Sequence, residues 1–250
     1  MIILKTPQEI ELIAQASRVV ASTIAFLRER VKPGVTTAEL DRWAEDFIVR
    51  EGARPAFKGY RGFPATLCTS VNEEVVHGIP SPQKRLEEGD IIGVDVGAIV
   101  EGYHGDAAVT LPVGQISEEA ARLIRVTEDA LDAGLAQVNV GNRLSDVSHA
   151  IQSVAEREGY SVVTDFVGHG IGRSLHEDPQ VPNFGKPGEG PRLKQGLVLA
   201  IEPMVNVGGS EVEVLADRWT VVTRDRKLSA HFEHTIALTA EGPKVLTRAA

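Results

Sequence analysis

Residues 31–52 read VKPGVTTAELDRWAEDFIVREG and residues 138–159 read VNVGNRLSDVSHAIQSVAEREG, one order of signals met twice at a constant offset of 107. Each stretch opens on a turn that closes with glycine, Val31-Lys32-Pro33-Gly34 or Val138-Asn139-Val140-Gly141, and stops at Glu51-Gly52 or Glu158-Gly159. Between these marks the first copy is helical: Thr36 or Thr37 caps it, Leu40, Trp43, Ala44, Phe47 and Ile48 form its apolar face, and Gly52 ends it. A helix also precedes each copy. Thr6 and Pro7 start one whose stripe is Ile10, Ile13, Ala14, Ser17 and Ala21, running to about Arg28, and Ser117 to about Val138 supplies the other. The offset continues downstream, placing Leu86-Glu87-Glu88-Gly89 on Leu193-Lys194-Gln195-Gly196 and Gly93-Val94-Asp95-Val96 on Ala200-Ile201-Glu202-Pro203. A register kept over about 65 positions marks a duplicated αα-ββ unit. The expected fold is α/β (α+β): one domain over residues 1–250, with pseudo-twofold halves at roughly 1–115 and 116–250. Their strands should pair into one curved, mainly antiparallel sheet, with the equivalent acids facing each other near its middle.

Composition narrows the function classes. The chain has 250 residues, 42% hydrophobic and 24% charged, as in a globular protein, and lacks a run of about 18 apolar residues. The start, Met1-Ile2-Ile3-Leu4-Lys5, leads straight into a helix signal without a secretory h-region, so a cytoplasmic setting is expected. A single cysteine, Cys68, excludes an intrachain disulfide and a Cys-based zinc cluster. Any metal must therefore use His, Asp or Glu. With 35 acidic against 26 basic residues the formal charge is −9, which argues against direct nucleic-acid binding.

Four acids stand where apolar residues belong. Asp95 lies in Ile91-Ile92-Gly93-Val94-Asp95-Val96, Glu202 in Leu199-Ala200-Ile201-Glu202-Pro203-Met204, and Glu233 in Phe232-Glu233-His234-Thr235-Ile236. Asp106 follows Asp95 by eleven residues, and a two-residue turn at Glu101-Gly102, between strands at 91–100 and 106–113, puts both aspartates on one face of a hairpin. Buried carboxylates without compensation cost about several kcal/mol each. His169, flanked by Gly168 and Gly170, leaves room for close approach by a ligand or another backbone. Four carboxylates and one imidazole match two divalent ions in charge and suit Mn, Fe, Co or Zn. Two such ions bridging a water would be hydrolytic machinery. The competing account pairs the acids with Arg54, Arg61, Arg173 or Lys227. Cys68 has no nearby histidine in sequence, no Gly-x-Ser-x-Gly elbow occurs, and the glycines at 168, 170 and 172 fail the dinucleotide spacing at Arg173.

Seven stretches in order carry a family resemblance: Val76-His77-Gly78-Ile79-Pro80, Val94-Asp95-Val96-Gly97, Gly102-Tyr103-His104-Gly105-Asp106, Gly168-His169-Gly170-Ile171-Gly172, Leu175-His176-Glu177-Asp178-Pro179, Ile201-Glu202-Pro203-Met204 and Phe232-Glu233-His234-Thr235. Over nearly its whole length the chain resembles the type I methionine aminopeptidases of the short bacterial form. The resemblance implies the pita-bread fold and metal ligation by Asp95, Asp106, His169, Glu202 and Glu233. It further implies that His77 contacts the scissile amide nitrogen or the leaving amine, that His176 stabilises the carbonyl oxygen, and that Glu202 shuttles a proton. Tyr60, Phe63, Cys68, His77 and Trp219 would wall the methionine pocket, and Asn72 and Ser229 would belong to a monovalent-cation site. Phe57, where a cysteine is expected, and Leu175, where many relatives have an aromatic residue, depart from the pattern.

The implied reaction is removal of the N-terminal methionine from nascent or short peptides with a small second residue, by a metal-bridged hydroxide. Proline-specific aminopeptidases and dipeptidases share this fold and ligand set but carry an extra N-terminal domain, for which the residues before Val76 leave no room. A peptide-binding relative without chemistry is the other alternative. Ribosome contact would fit nascent substrates, although the acidic total lends it no support, and a monomer is expected.

Overall fold

A computed structural model describes residues 1–248. Four helices form where the capping signals stand: α1 (Pro7–Arg28), α2 (Thr37–Arg50), α3 (Glu118–Ala136) and α4 (Leu144–Arg157). Thr6 caps α1 and Thr36 caps α2, each in a reciprocal box with a glutamate three residues on, Glu9 or Glu39. Ser117 caps α3 by accepting from the Ala120 amide. At α4 the capping position is Arg143, and Asp146 holds the end by accepting from the Arg143 amide at 2.7 Å. Gly52 and Gly159 follow α2 and α4 at φ 77° and 85°, the left-handed turn that releases the chain from a helix.

The repeat is visible in hydrogen bonds. The Gly34 amide donates to the Leu86 carbonyl at 2.8 Å, and 107 residues later the Gly141 amide donates to Leu193 at 3.2 Å. Thr37 to Lys84 and Leu144 to Pro191 form the next such pair, each at 3.0 Å.

The hairpin pairs the strands Ile91–Val100 and Tyr103–Pro112 around Glu101-Gly102. Its second strand starts three residues before the expected 106, because a two-residue turn brings Tyr103 opposite Val100 at once. Helix α1 lies across this hairpin with Ile13, Ala16, Val20 and Leu27 fully buried. By length and composition α1 is long and apolar enough to cross a membrane, but its apolar face is spent on the sheet. Gly105 lets the two backbones meet, since a Cβ there would lie 2.6 Å from the Ser17 nitrogen.

Among the described residues the expected single sheet is divided into four hydrogen-bonded sheets, all of their pairings antiparallel. Pro203 explains one break. Without an N–H it ends the pairing of Val198–Ile201 with His234–Thr239, and Met204–Asn206 pairs instead with Ser229–His231. Beside the site the two halves meet along one antiparallel seam, and elsewhere Glu74–Val76 pairs with Val221–Thr223. Ala108 and Glu233 exchange backbone hydrogen bonds at 2.9 and 3.3 Å. On either side threonine hydroxyls replace the ladder: Thr235 donates to the Asp106 carbonyl and accepts from the Asp106 amide, and Thr110 does the same for His231. Mixed α/β layers over antiparallel strands with this internal repeat make the pita-bread fold.

Candidate metal centre and active site

Asp95 lies opposite Ala108 and Asp106 opposite Gly97, so the two aspartates are diagonal neighbours on one face of the hairpin, as the turn length requires. Glu202 and Glu233 occupy the gap between the ladders ending at Ile201–His234 and Met204–His231. His169, on the short strand Gly168–Gly170, lies opposite Ala200. Its flanking glycines make room for neighbouring backbone, not for a ligand: a Cβ at Gly168 would strike the Ala200 carbonyl and one at Gly170 the Asp178 carbonyl. All five side chains line one cavity of about 160 Å³.

The electrostatics of this cavity need a cation. Burial, reinforced by mutual repulsion, raises Asp106, Glu202 and Glu233 well above the ordinary carboxylate range, and burial pushes Asp95 up to about 7. Among the described residues no Lys or Arg forms an ion pair with any of the four; the imidazoles within 4 Å of them, His169 and His231, are held neutral near pH 7 by burial. The salt-bridge account is thereby excluded for Arg54, Arg61, Arg173 and Lys227. Arg173 instead sits over the Tyr103 ring at 4.5 Å.

His169 turns a free ring nitrogen toward the acids. Its Nδ1 is 2.9 Å from the Gly170 carbonyl, which only accepts, so the proton is on Nδ1 and Nε2 presents a lone pair. That lone pair faces Glu202 at 3.6 Å and Asp106 at 3.9 Å. Oxygens of Asp95, Asp106 and Glu233 are buried without a hydrogen-bond partner. Ligand atoms of Asp106, His169 and Glu233 lie within 4.8 Å of one another. Orphaned oxygens around an imidazole lone pair fit a divalent metal and little else.

The remaining cavity wall holds Phe57, Tyr60, Arg61, Phe63, Cys68, His77, Leu175, His176 and Trp219. Phe57, Phe63, Cys68 and Leu175 are buried, whereas Arg61 and His176 are exposed at the rim. His77 adopts φ 60°, a strained backbone for a non-glycine residue that turns its ring toward Trp219 and Phe166. Burial lowers the His77 pKa to about 4; at His176, an exposed residue whose ring leans into the cavity, partial desolvation with the nearby His169 and Arg61 lowers it to about 3, so both rings are neutral near pH 7. The Tyr60 hydroxyl lies 2.9 Å from His176 Nδ1; donation from Tyr60 leaves the imidazole proton on Nε2. Cys68 is pushed well up by burial and the surrounding acids, which makes it a neutral wall group rather than a nucleophile.

Asn72 and Ser229 are not in this cavity. They meet elsewhere, the Ser229 amide donating to the Asn72 carbonyl at 2.9 Å. Sequence reasoning missed Phe166 and His231. The His231 Nε2 is buried without a hydrogen-bond partner, 3.8 Å from Glu202; its place two residues before Glu233 was the available signal.

Comparison with known proteins shows the family. The model of metallopeptidase family M24 matches residues 11–240. A methionine aminopeptidase of Clostridium acetobutylicum is 57% identical over 247 residues, 99% of each chain. The crystal structure of methionine aminopeptidase from Thermotoga maritima superposes with a TM-score of 0.98 at 47% identity, covering 100% of both chains. A prolidase from Pyrococcus furiosus shares the fold at a TM-score of 0.78 and 24% identity, with 99% of this chain covering 66% of that one. By the family match and by identity over its full length, the chain belongs to the M24 metallopeptidases, divalent-metal hydrolases.

Proposed function

We propose that this protein is a methionine aminopeptidase that hydrolyses the bond after an N-terminal methionine, preferring a small second residue. The observation that carries the reading is the five-residue constellation of Asp95, Asp106, His169, Glu202 and Glu233 beside a small pocket with a sulfur and aromatic lining. The 57% identity to a methionine aminopeptidase supports it over the proline-specific alternative, since a solved prolidase is 24% identical.

The five residues would hold two divalent ions, which when bound supply an acidified water and an electrophile for the scissile carbonyl. Phe63, Cys68, Tyr60 and Trp219 take up the methionine side chain, a thioether against aromatic faces and a thiol. Phe57 and Leu175 complete that wall. His176 donates from Nε2 to the carbonyl oxygen as charge develops on it. His77 contacts the amide nitrogen, and Glu202 carries a proton from water to the departing amine. Ser229 with the carbonyls near Asn72 and Glu74 forms the monovalent-cation site. We further assign the enzyme to cytoplasmic nascent or short peptides, acting as a monomer, with ribosome contact as one route to them.

Protein stripped by a chelator should release no methionine from Met-Ala-Ser and regain activity with Mn(II), Fe(II) or Co(II). Metal-restored cleavage of an Ala-Pro peptide alone would move the assignment to the proline-specific relatives, and two bound metals with neither peptide cut would leave a binding protein.

The raised carboxylate pKa values predict a pH signature. A group whose folded pKa exceeds its unfolded value stabilises the fold at low pH, and that contribution is lost as pH rises through the folded pKa. For Asp95 the loss runs from about 4 to about 7, and the other three acids, raised in the same direction, add to it. The lowered histidines oppose this only below their ordinary value of 6.5. Metal-free protein should therefore melt at falling temperature as pH rises above about 6.5, and the melting-temperature gain from Mn(II) should widen with it, because each metal displaces protons. A gain that stays level or narrows in paired thermal melts would contradict metal binding by these acids.

A further inference from the structure

We propose that Arg61 selects peptides carrying a carboxylate beyond the scissile bond, either an acidic side chain at the third or fourth residue or the free C-terminus of a short peptide. The inference rests on the aminopeptidase reading and names its substrate class. Arg61 is the one basic side chain other than histidine on a cavity wall whose other charged groups are acids. It neutralises none of them: among the described residues its guanidinium forms no ion pair, and it sits 5.4 Å from the centre of the Tyr60 ring.

Its position is fixed from both sides. Phe57 and Phe63 are buried, the Gly59 amide donates to the Phe63 carbonyl at 2.8 Å, and the Phe63 amide donates to Tyr60 at 2.9 Å. Arg61 itself is held at φ 49°, ψ 22° between Gly59 and Gly62, a conformation arginine seldom adopts. A peptide whose first side chain enters the buried pocket, with its amino end at the carboxylate floor, must leave across the exposed rim of Arg61 and His176. A planar guanidinium there offers a paired, charge-assisted contact to a passing carboxylate. Solvent exposure limits the effect to about two- to fivefold in kcat/KM.

The test compares metal-loaded wild type with Arg61→Gln and Arg61→Glu on two peptide pairs. Met-Ala-Asp-amide against Met-Ala-Asn-amide reads a side-chain carboxylate, and Met-Ala-Ser against its C-terminal amide reads a terminal one. Wild type should favour the anionic member of at least one pair, Arg61→Gln should bring that ratio to about one, and Arg61→Glu should invert it. Ratios that are the same in all three proteins, including variants that slow every peptide alike, give Arg61 a structural role and overturn the proposal. Release of no methionine from any peptide by wild type would instead remove the aminopeptidase reading, and the proposal with it.

Discussion

Asp106→Asn should lower metal-dependent methionine release by about three orders of magnitude, the rate equivalent of about 4 kcal/mol of transition-state stabilisation by metal. The substitution keeps the size of a side chain that is 4% exposed and retains one of its two oxygens. What it deletes is a charge that is out of place unless a cation is present. Asp106 is raised by burial and then by repulsion from Glu233 and Asp95. The variant should therefore melt no lower than wild type in chelator near pH 8 while binding Mn(II) weakly. Free methionine measured at saturating Mn(II), together with metal titration, checks both halves. Activity within about tenfold of wild type would show that Asp106 is not a ligand that the chemistry needs.

His176→Ala should lower kcat by about 10²–10³-fold with KM little changed, the pattern of a donor engaged mainly with the oxyanion. The ring is neutral near pH 7, and its Nδ1 is occupied by Tyr60 at 2.9 Å. Tyr60→Phe removes that partner but keeps the aromatic face, stacked on His176 with centroids 5.3 Å apart, so it should show a smaller loss in the same parameter. A rise in KM alone for His176→Ala would move the residue from catalysis to substrate binding. Steady-state kinetics on Met-Ala-Ser separates the two.

The four helices, the caps of α1 and α2 and the hairpin turn were legible because each depends on residues within a few positions, whereas the Arg143 cap of α4 was not. Thr6 to Glu9, Thr36 to Glu39 and Glu101-Gly102 are local devices, and turn length alone fixed the shared face of Asp95 and Asp106. The acids were legible as violations of an apolar pattern, and the repeat related Asp95 to Glu202. The resemblance added the roles of His77 and His176, which local pattern would have left structural. The reading of His169's glycines stayed open between ligand and backbone, and the structure resolved it in favour of backbone.

Sequence alone thus determined the repeated αα-ββ framework and the presence of too many buried acids for a bare protein core. Tertiary structure decided how the halves close around those acids. Thr110 and Thr235 bridge to His231 and Asp106 across 121 and 129 residues, and Pro203 transfers its strand between ladders so that Glu202 and Glu233 face one gap. No local propensity encodes such contacts, because a threonine hydroxyl satisfies a strand amide only after the fold has brought the two together. The same holds for Phe166 against His77, His231 beside Glu202 and Arg61 at the rim, whose chemistry comes from neighbours distant in the chain.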